Sequence, residues 1–257
     1  MQRRQLLRLS GAGVLSAPFV ISASGAARAA GPEPVDVELV LAVDVSRSID
    51  AEEHETQMRG YASAFRDPEV LRSIRGGEGG AISCTLFTWS DSDSQEDLVP
   101  WMRIADEASA ERFAAAIDAA PRRILSYTSI SGAMEHALRR YGQSPYEGTR
   151  RVLDISGDGV NNSGRRLDGV RAVMMEEGIV VNGLAVLDRT PGPANGAVSL
   201  EDYYREEVIG GPGAFLVVAD GFAAFDRAVR RKIAREVASA GERTRFAGLP
   251  VVDRVAA

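Results

Sequence analysis

The stretch Leu39-Val-Leu-Ala-Val-Asp-Val-Ser-Arg-Ser48 predicts a buried central strand that ends in a group of polar side chains. Its first five residues are all aliphatic, a run too short for a buried helix but typical of a strand covered on both faces. Asp44, Ser46 and Ser48 then follow at alternate positions. Alternate side chains just past the end of a strand can converge on one point above the sheet edge. The stretch therefore predicts half of a coordination shell.

Apolar runs and amphipathic segments alternate from Pro34 onward, which predicts an α/β domain over residues 35–240. The predicted fold is a doubly wound, mostly parallel six-strand sheet with helices on both faces. The second and third strands are joined by a loop too short for a parallel crossover, so one edge strand is expected to be antiparallel. The predicted strands cover residues 36–44, 81–89, 98–104, 152–156, 179–187 and 214–219, and the predicted helices cover 51–65, 108–119, 131–141, 168–177, 201–208 and 222–238.

Three further segments lie outside this alternation. Residues 1–29 have the features of a signal peptide: a basic start, a short apolar middle, and Ala27-Arg-Ala29 as a cleavage site. Arg3-Arg4-Gln5-Leu6-Leu7 resembles a twin-arginine export signal, and a general secretory leader is the alternative. Residues 188–198 are rich in Pro and Gly and predict a surface insertion. Residues 241–257 form a tail with no clear period. The leader predicts an exported protein, periplasmic where the cell has two membranes.

Composition restricts the partners and the chemistry. The formal net charge is −6, and the first 29 residues hold four arginines and no acid, so the remainder is more acidic still. Such a chain is a poor nucleic-acid binder, because phosphate contacts need clustered cations. No segment after the leader is apolar enough to predict a membrane span. Cys84 is the only cysteine, so no internal disulfide can form, and its apolar surroundings predict a buried thiol.

Two more loops are expected at the edge of the sheet where the 39–48 stretch ends. Thr128 comes just before a predicted helix, and Asp158 follows a buried strand in Ser-Gly-Asp-Gly. In open α/β sheets, ligands bind outside the carboxyl ends of the strands, at a topological switch point. Two carboxylates and three hydroxyls without His or Cys form an all-oxygen set, which suits a hard divalent cation such as Mg²⁺, with Mn²⁺ or Ca²⁺ as alternatives.

These three segments, in this order on a βα alternation, resemble the metal-ion-dependent adhesion site of von Willebrand factor A (vWA) domains. The resemblance covers about residues 35–240 and extends to uncharacterised exported bacterial members of that superfamily. It implies a vWA, Rossmann-like fold and a cation site formed by Asp44, Ser46, Ser48, Thr128 and Asp158. It also implies a binding protein rather than an enzyme, in which a partner protein's carboxylate fills an open position on the metal.

Simpler roles exist for each of these residues. Ser48 or Asp50 could cap the first helix, Thr128 or Ser129 could cap a later one, and Asp158 could be an ordinary turn residue. Asn161 and Asn162 are expected at the rim of the site, although loop chemistry explains them equally well. None of these roles explains why all three segments are expected at one edge of the sheet.

The alternative function is metal-dependent phosphoester hydrolysis or phosphotransfer, because some phosphatases begin with an aspartate after their first strand. Those enzymes usually have a second carboxylate two residues later, where this chain has Ser46. The only imidazoles, those of His54 and His136, fall within predicted helices and are expected on the surface. No nucleophile elbow or P-loop is present. Binding is therefore the predicted function.

Overall fold

Seven strands form one sheet in the computed structural model, which describes residues 31–121, 127–187, 198–238 and 251–256. The predicted leader, residues 188–197 of the predicted insertion, and the first part of the predicted tail lie outside the described residues. The strands are β1 (Glu33–Asp44), β2 (Ile82–Trp89), β3 (Gln95–Ile104), β4 (Tyr146–Gly157), β5 (Ile179–Val186), β6 (Leu216–Ala219) and β7 (Val252–Val255).

The strand order is β3-β2-β1-β4-β5-β6-β7, with β3 antiparallel to β2 and every other neighbouring pair parallel. This confirms the predicted fold class and the antiparallel edge strand. The predicted number of six strands is wrong, because the tail supplies the seventh strand. That strand is only four residues long and contains Asp253 and Arg254, so no apolar pattern marks it. This strand forms because it pairs with β6, and not because its own residues favour a strand.

Seven α-helices connect or follow the described strands: α1 (Ala51–Arg66), α2 (Pro68–Arg75), α3 (Glu107–Asp118), α4 (Ile130–Gly142), α5 (Leu167–Glu176), α6 (Leu200–Tyr203) and α7 (Phe225–Val237). A π-helical turn, Tyr204–Val208, continues α6. Helix α2 was not predicted, although Asp67 caps it and Pro68 opens it, both standard start signals. Among the described residues, no helix has the length and apolar character needed to cross a membrane.

The helices cover both faces of the sheet with separate apolar clusters. One cluster packs α1, α2, α3 and α7 on one face, and the other packs α4, α5 and the π-helical turn on the opposite face. Strand β1 lies between them, and residues 39–43 are completely buried, as a strand covered on both sides must be. The Cys84 thiol is buried in β2, as predicted. His54 is also buried, which corrects its predicted surface position.

Candidate metal centre

The carboxyl end of β1 lies at the point where the strand order reverses. The chain proceeds from β1 to β2 on one side and later returns to place β4 on the other side. Asp44, the last residue of β1, is aligned with Trp89 of β2, and its neighbour Val43 is aligned with Ser156 of β4. This is the switch point at which α/β sheets bind ligands. The predicted site residues therefore occupy the expected position in the fold.

A chain of short contacts joins the first loop to the loop after β4. The Ser46 backbone N–H donates a hydrogen bond to Asp44 Oδ1 at 2.7 Å, which turns the chain immediately after the strand. The Ser46 and Ser48 hydroxyl oxygens are 3.1 Å apart. The Ser48 hydroxyl donates in turn to Asp158 Oδ1 at 2.8 Å. Four of the five predicted ligands are thus connected to one another.

The helix caps are made by other residues. Asp50 caps α1 by accepting from the N–H groups of Glu52 and Glu53, and Glu53 completes a capping box by accepting from the Asp50 N–H. Ser129 caps α4 by accepting from the Gly132 N–H at 3.1 Å. The capping roles considered for Ser48 and Thr128 are therefore taken by their neighbours.

Thr128 is held beside the Asp158 loop by paired hydrogen bonds to Asn162. The Thr128 N–H donates to Asn162 Oδ1 at 2.9 Å, and the Asn162 N–H donates to the Thr128 carbonyl at 2.8 Å. Asn161 Oδ1 accepts from the Ser131 N–H at 3.0 Å. The Thr128 side chain faces Gly159, where a Cβ would lie 3.4 Å from its hydroxyl oxygen. The two asparagines therefore fasten the α4 loop to the β4 loop.

Gly157 is required for close approach. A Cβ at Gly157 would lie 2.8 Å from Asp44 Oδ2 and 2.7 Å from the Tyr204 hydroxyl, both shorter than real Cβ contacts. Gly157 is absent from the described glycines with positive φ, so space for its neighbours and not backbone conformation explains this glycine. Tyr204 was not predicted at the site. The glycine before Asp158 was the only signal for it.

The electrostatics of the site favour a cation. Asp44 is fully buried, and its Oδ2 has no hydrogen-bond partner among the described residues. Burial, followed by the nearby charge of Asp158, raises the pKa of Asp44 to about 8. A buried, partnerless carboxylate oxygen facing a second carboxylate is unfavourable unless a proton or a cation neutralises it.

The oxygen set matches a hard divalent cation. The described residues contain no group of three or more His, Cys, Asp or Glu side chains that could hold a metal ion, so a cation here would need hydroxyl oxygens beside the two carboxylates. The Ser46 and Ser48 hydroxyls lie in the chain of contacts that reaches Asp158, and the Thr128 hydroxyl lies beside Gly159, so these three oxygens are available. Oxygen-only ligation with few carboxylates is typical of Mg²⁺, which retains several of its waters. The residues present therefore fit the group that the fold implies.

This strand order and this edge give the chain a vWA-type fold, and solved structures of other proteins show the same fold. Proximal thread matrix protein 1 from the mussel byssus, solved with a zinc-occupied MIDAS motif, matches with a TM-score of 0.56 and 17% identity over 79% of this chain and 46% of that one. A von Willebrand factor type A protein from Catenulispora acidiphila matches with a TM-score of 0.54 and 13% identity over 79% and 43%. The pilus adhesin SpaC from Lactobacillus rhamnosus GG matches with 0.57 and 12% over 80% and 31%.

The chain spans less than half the length of each of these three proteins, and at such identities the likeness shows the fold alone. Residues 34–241 match the model of a family described as "Protein of unknown function (DUF1194)". The chain therefore belongs to the DUF1194 family. No curated protein of similar sequence was found.

Proposed function

We propose that this protein binds a partner protein through a divalent cation, Mg²⁺ in the first instance, held by Asp44, Ser46, Ser48, Thr128 and Asp158. The observation that carries the proposal is the fully buried Asp44 carboxylate, which lies close to the charge of Asp158 at the switch point of a vWA sheet. In the mussel protein the corresponding motif is described as zinc-occupied, which supports a divalent metal here.

The five residues would contribute charge and oxygen atoms to the cation site in different ways. Asp44 and Asp158 supply the negative charge, and the three hydroxyls supply neutral oxygens that complete the set without adding charge. Asn162 holds Thr128 in place, and the hydrogen bond from Ser48 holds Asp158. A bound divalent cation would supply a positive charge with an open position for a carboxylate oxygen. Arg47, which is exposed between the two serines, adds a positive charge at the rim, and this also favours an acidic partner.

We further propose that residues 1–29 direct export and are then removed, so that the protein acts in the periplasm or outside the cell. The likeness to a pilus adhesin supports an exported binding protein. Nothing in the described residues specifically favours the alternative, phosphoester hydrolysis, since position 46 holds a serine where a second carboxylate would be needed.

Calorimetric titration with Mg²⁺, Mn²⁺ and Ca²⁺, each with and without acetate, tests the proposal. Acetate stands in for the partner's carboxylate. We expect the wild-type protein to bind and Asp44→Asn and Asp158→Asn to lose binding, with circular dichroism unchanged. Asp168→Asn is the matched control, because Asp168 is an exposed aspartate of α5 paired with Arg166. Absence of wild-type binding both with and without acetate, or equal binding by the two site variants, would contradict the proposal.

A further inference from the structure

Tyr204 is a buried tyrosine whose side chain lies against β5 and β4, with its hydroxyl next to the candidate metal centre. It opens the π-helical turn after α6 and is completely buried. A Cβ at Gly183 of β5 would lie 3.1 Å from a ring carbon of Tyr204, and a Cβ at Gly157 of β4 would lie 2.7 Å from its hydroxyl. Glycines on two neighbouring strands thus make room for one phenol. Turns of π-helix occur frequently at functional sites.

The Tyr204 hydroxyl and Asp44 Oδ2 border the same space beside Gly157. The hydroxyl lies 2.7 Å and the carboxylate oxygen 2.8 Å from the position that a Gly157 Cβ would occupy. Both atoms are buried, and neither has a hydrogen-bond partner among the described residues. Buried polar atoms are nearly always hydrogen-bonded, so two partnerless ones facing one space need an explanation. The phenol O–H is a donor and the oxygen of an ionised carboxylate accepts, so they are complementary once Asp44 is ionised.

We propose that Tyr204 is a positioning residue of the cation site, whose hydroxyl donates to Asp44 Oδ2, directly or through one bridging water. The hydroxyl thereby fixes the orientation of the Asp44 carboxylate and directs its other oxygen, which also accepts from the Ser46 N–H, towards the loop that carries the serines. This inference rests on the proposed metal site and adds to it a residue outside the five oxygen ligands. Groups that orient metal ligands in this way typically contribute 10- to 100-fold to metal affinity.

The test compares Tyr204→Phe with Tyr141→Phe in the full chain. Tyr141 is the matched control because its hydroxyl is also buried without a hydrogen-bond partner among the described residues, and its ring faces Arg151 near the start of β4 rather than the metal edge. Each protein is titrated with Mg²⁺ and Mn²⁺ by calorimetry. Thermal unfolding is measured in chelator, and ultraviolet difference absorbance of tyrosine is recorded on adding the cation.

We expect Tyr204→Phe to weaken cation affinity about 10- to 100-fold and to lose part of the tyrosine difference signal, while Tyr141→Phe changes neither. In chelator, Tyr204→Phe should be modestly less stable than wild type, because it removes the buried hydrogen bond to Asp44 Oδ2. A merely structural tyrosine would change stability alone and leave cation affinity unaltered.

The outcomes separate the two proposals. If wild type binds the cation and Tyr204→Phe binds it equally tightly, the positioning role is wrong and the metal site stands. If wild type binds neither cation with or without acetate, the metal site is wrong, and the role of Tyr204 is refuted with it.

Discussion

Lys232 is the only lysine in the sequence, and it is completely buried. It lies on α7, with its Nζ 2.7 Å from Asp154 Oδ1 of β4 and 2.7 Å from Glu236 Oε1 on its own helix. The Glu236 oxygen also accepts from Asn182 Nδ2 at 3.0 Å. Every other basic residue except the two histidines is arginine. The compact ammonium of lysine has three donors on one atom, and here it contacts both buried carboxyl groups.

The charges of this cluster balance only if one carboxyl group is protonated. Burial, and then the charge of Asp154, raises the pKa of Glu236 to about 8, even though the Lys232 ammonium acts in the opposite direction. Near pH 7, this raised pKa favours the neutral form of Glu236. Lys232 and Asp154 then form a one-to-one buried ion pair, with the protonated Glu236 as a hydrogen-bonding neighbour.

Replacing Lys232 with methionine removes the ammonium from this pair. Lys232→Met keeps much of the side-chain length but leaves the Asp154 charge buried without its cation. Breaking a buried pair by removing one partner costs about 3–5 kcal/mol of unfolding free energy. At about 2–4 °C per kcal/mol for a domain of this size, Tm should fall by about 6–20 °C. Urea and thermal unfolding near pH 7, followed by circular dichroism, measure both quantities.

Two controls identify the cause of the loss. Glu236→Gln mimics the protonated carboxyl group, so it should cost about 1 kcal/mol or less. Lys232→Met combined with Asp154→Leu removes both charges and should recover most of the lost stability, since apolar replacements of buried pairs are often neutral. If Lys232→Met alone is as stable as wild type, the ion pair does not stabilise the fold. If Glu236→Gln costs as much as Lys232→Met, the assigned protonation state of Glu236 is wrong.

Three further predictions concern the buried carboxyl groups and the glycine beside Asp44. The pKa values of Asp44 and Glu236 are raised in the folded protein, so their contribution to stability is fully present below the ordinary pKa of these carboxyl groups and is lost as pH rises towards about 8. Mg²⁺ should offset the part of this loss that comes from Asp44. Urea unfolding at about pH 6 and about pH 9, with Mg²⁺ or chelator, checks this. At pH values below the pKa of Asp44, cation affinity should increase about tenfold for each unit by which pH increases, because binding displaces the Asp44 proton. An affinity that does not depend on pH would contradict this. Gly157→Ala places a methyl group against Asp44 Oδ2 and the Tyr204 hydroxyl, so unfolding and cation titration should show a loss of about 1–3 kcal/mol and weakened binding. The control Gly169→Ala meets no atom within 4 Å in α5 and should be neutral or stabilising.

Local patterns in the sequence were sufficient to predict the framework of the fold and the position of the candidate site. Five aliphatic residues followed by Asp44-x-Ser46-x-Ser48 specify a buried strand and its polar end within ten residues. Thr128 and Asp158 each come at a helix start or a strand end, so the order of elements alone places them at the same edge. These predictions depend on short-range periodicity, which a single sequence shows directly.

The features that were missed depend on contacts between distant parts of the chain. Lys232 lies in a basic amphipathic helix, a pattern that predicts a surface residue. Its burial follows from packing against β4, which the sequence does not show. In the sequence, Tyr204 is one more aromatic residue of a short predicted helix. The position of its side chain depends on Gly157 and Gly183, which lie on two strands distant in the sequence. Strand β7 has a polar centre and forms only because β6 offers an unpaired edge. In each case tertiary packing overrides the local pattern.

Strand β4 connects the two buried carboxylate clusters. On one face of this strand, Asp154 is paired with Lys232 of α7, and on the other face the Tyr204 hydroxyl lies over Gly157. Asp158 follows immediately, so the strand that presents this carboxylate is fixed from both sides just before it ends. A small divalent cation demands near-ideal ligand geometry, which a loosely held loop would provide only at an entropic cost. The buried ion pair of Asp154 and Lys232 therefore has the same effect as the ligand residues at the carboxyl edge of the sheet, because both restrict the position of Asp158.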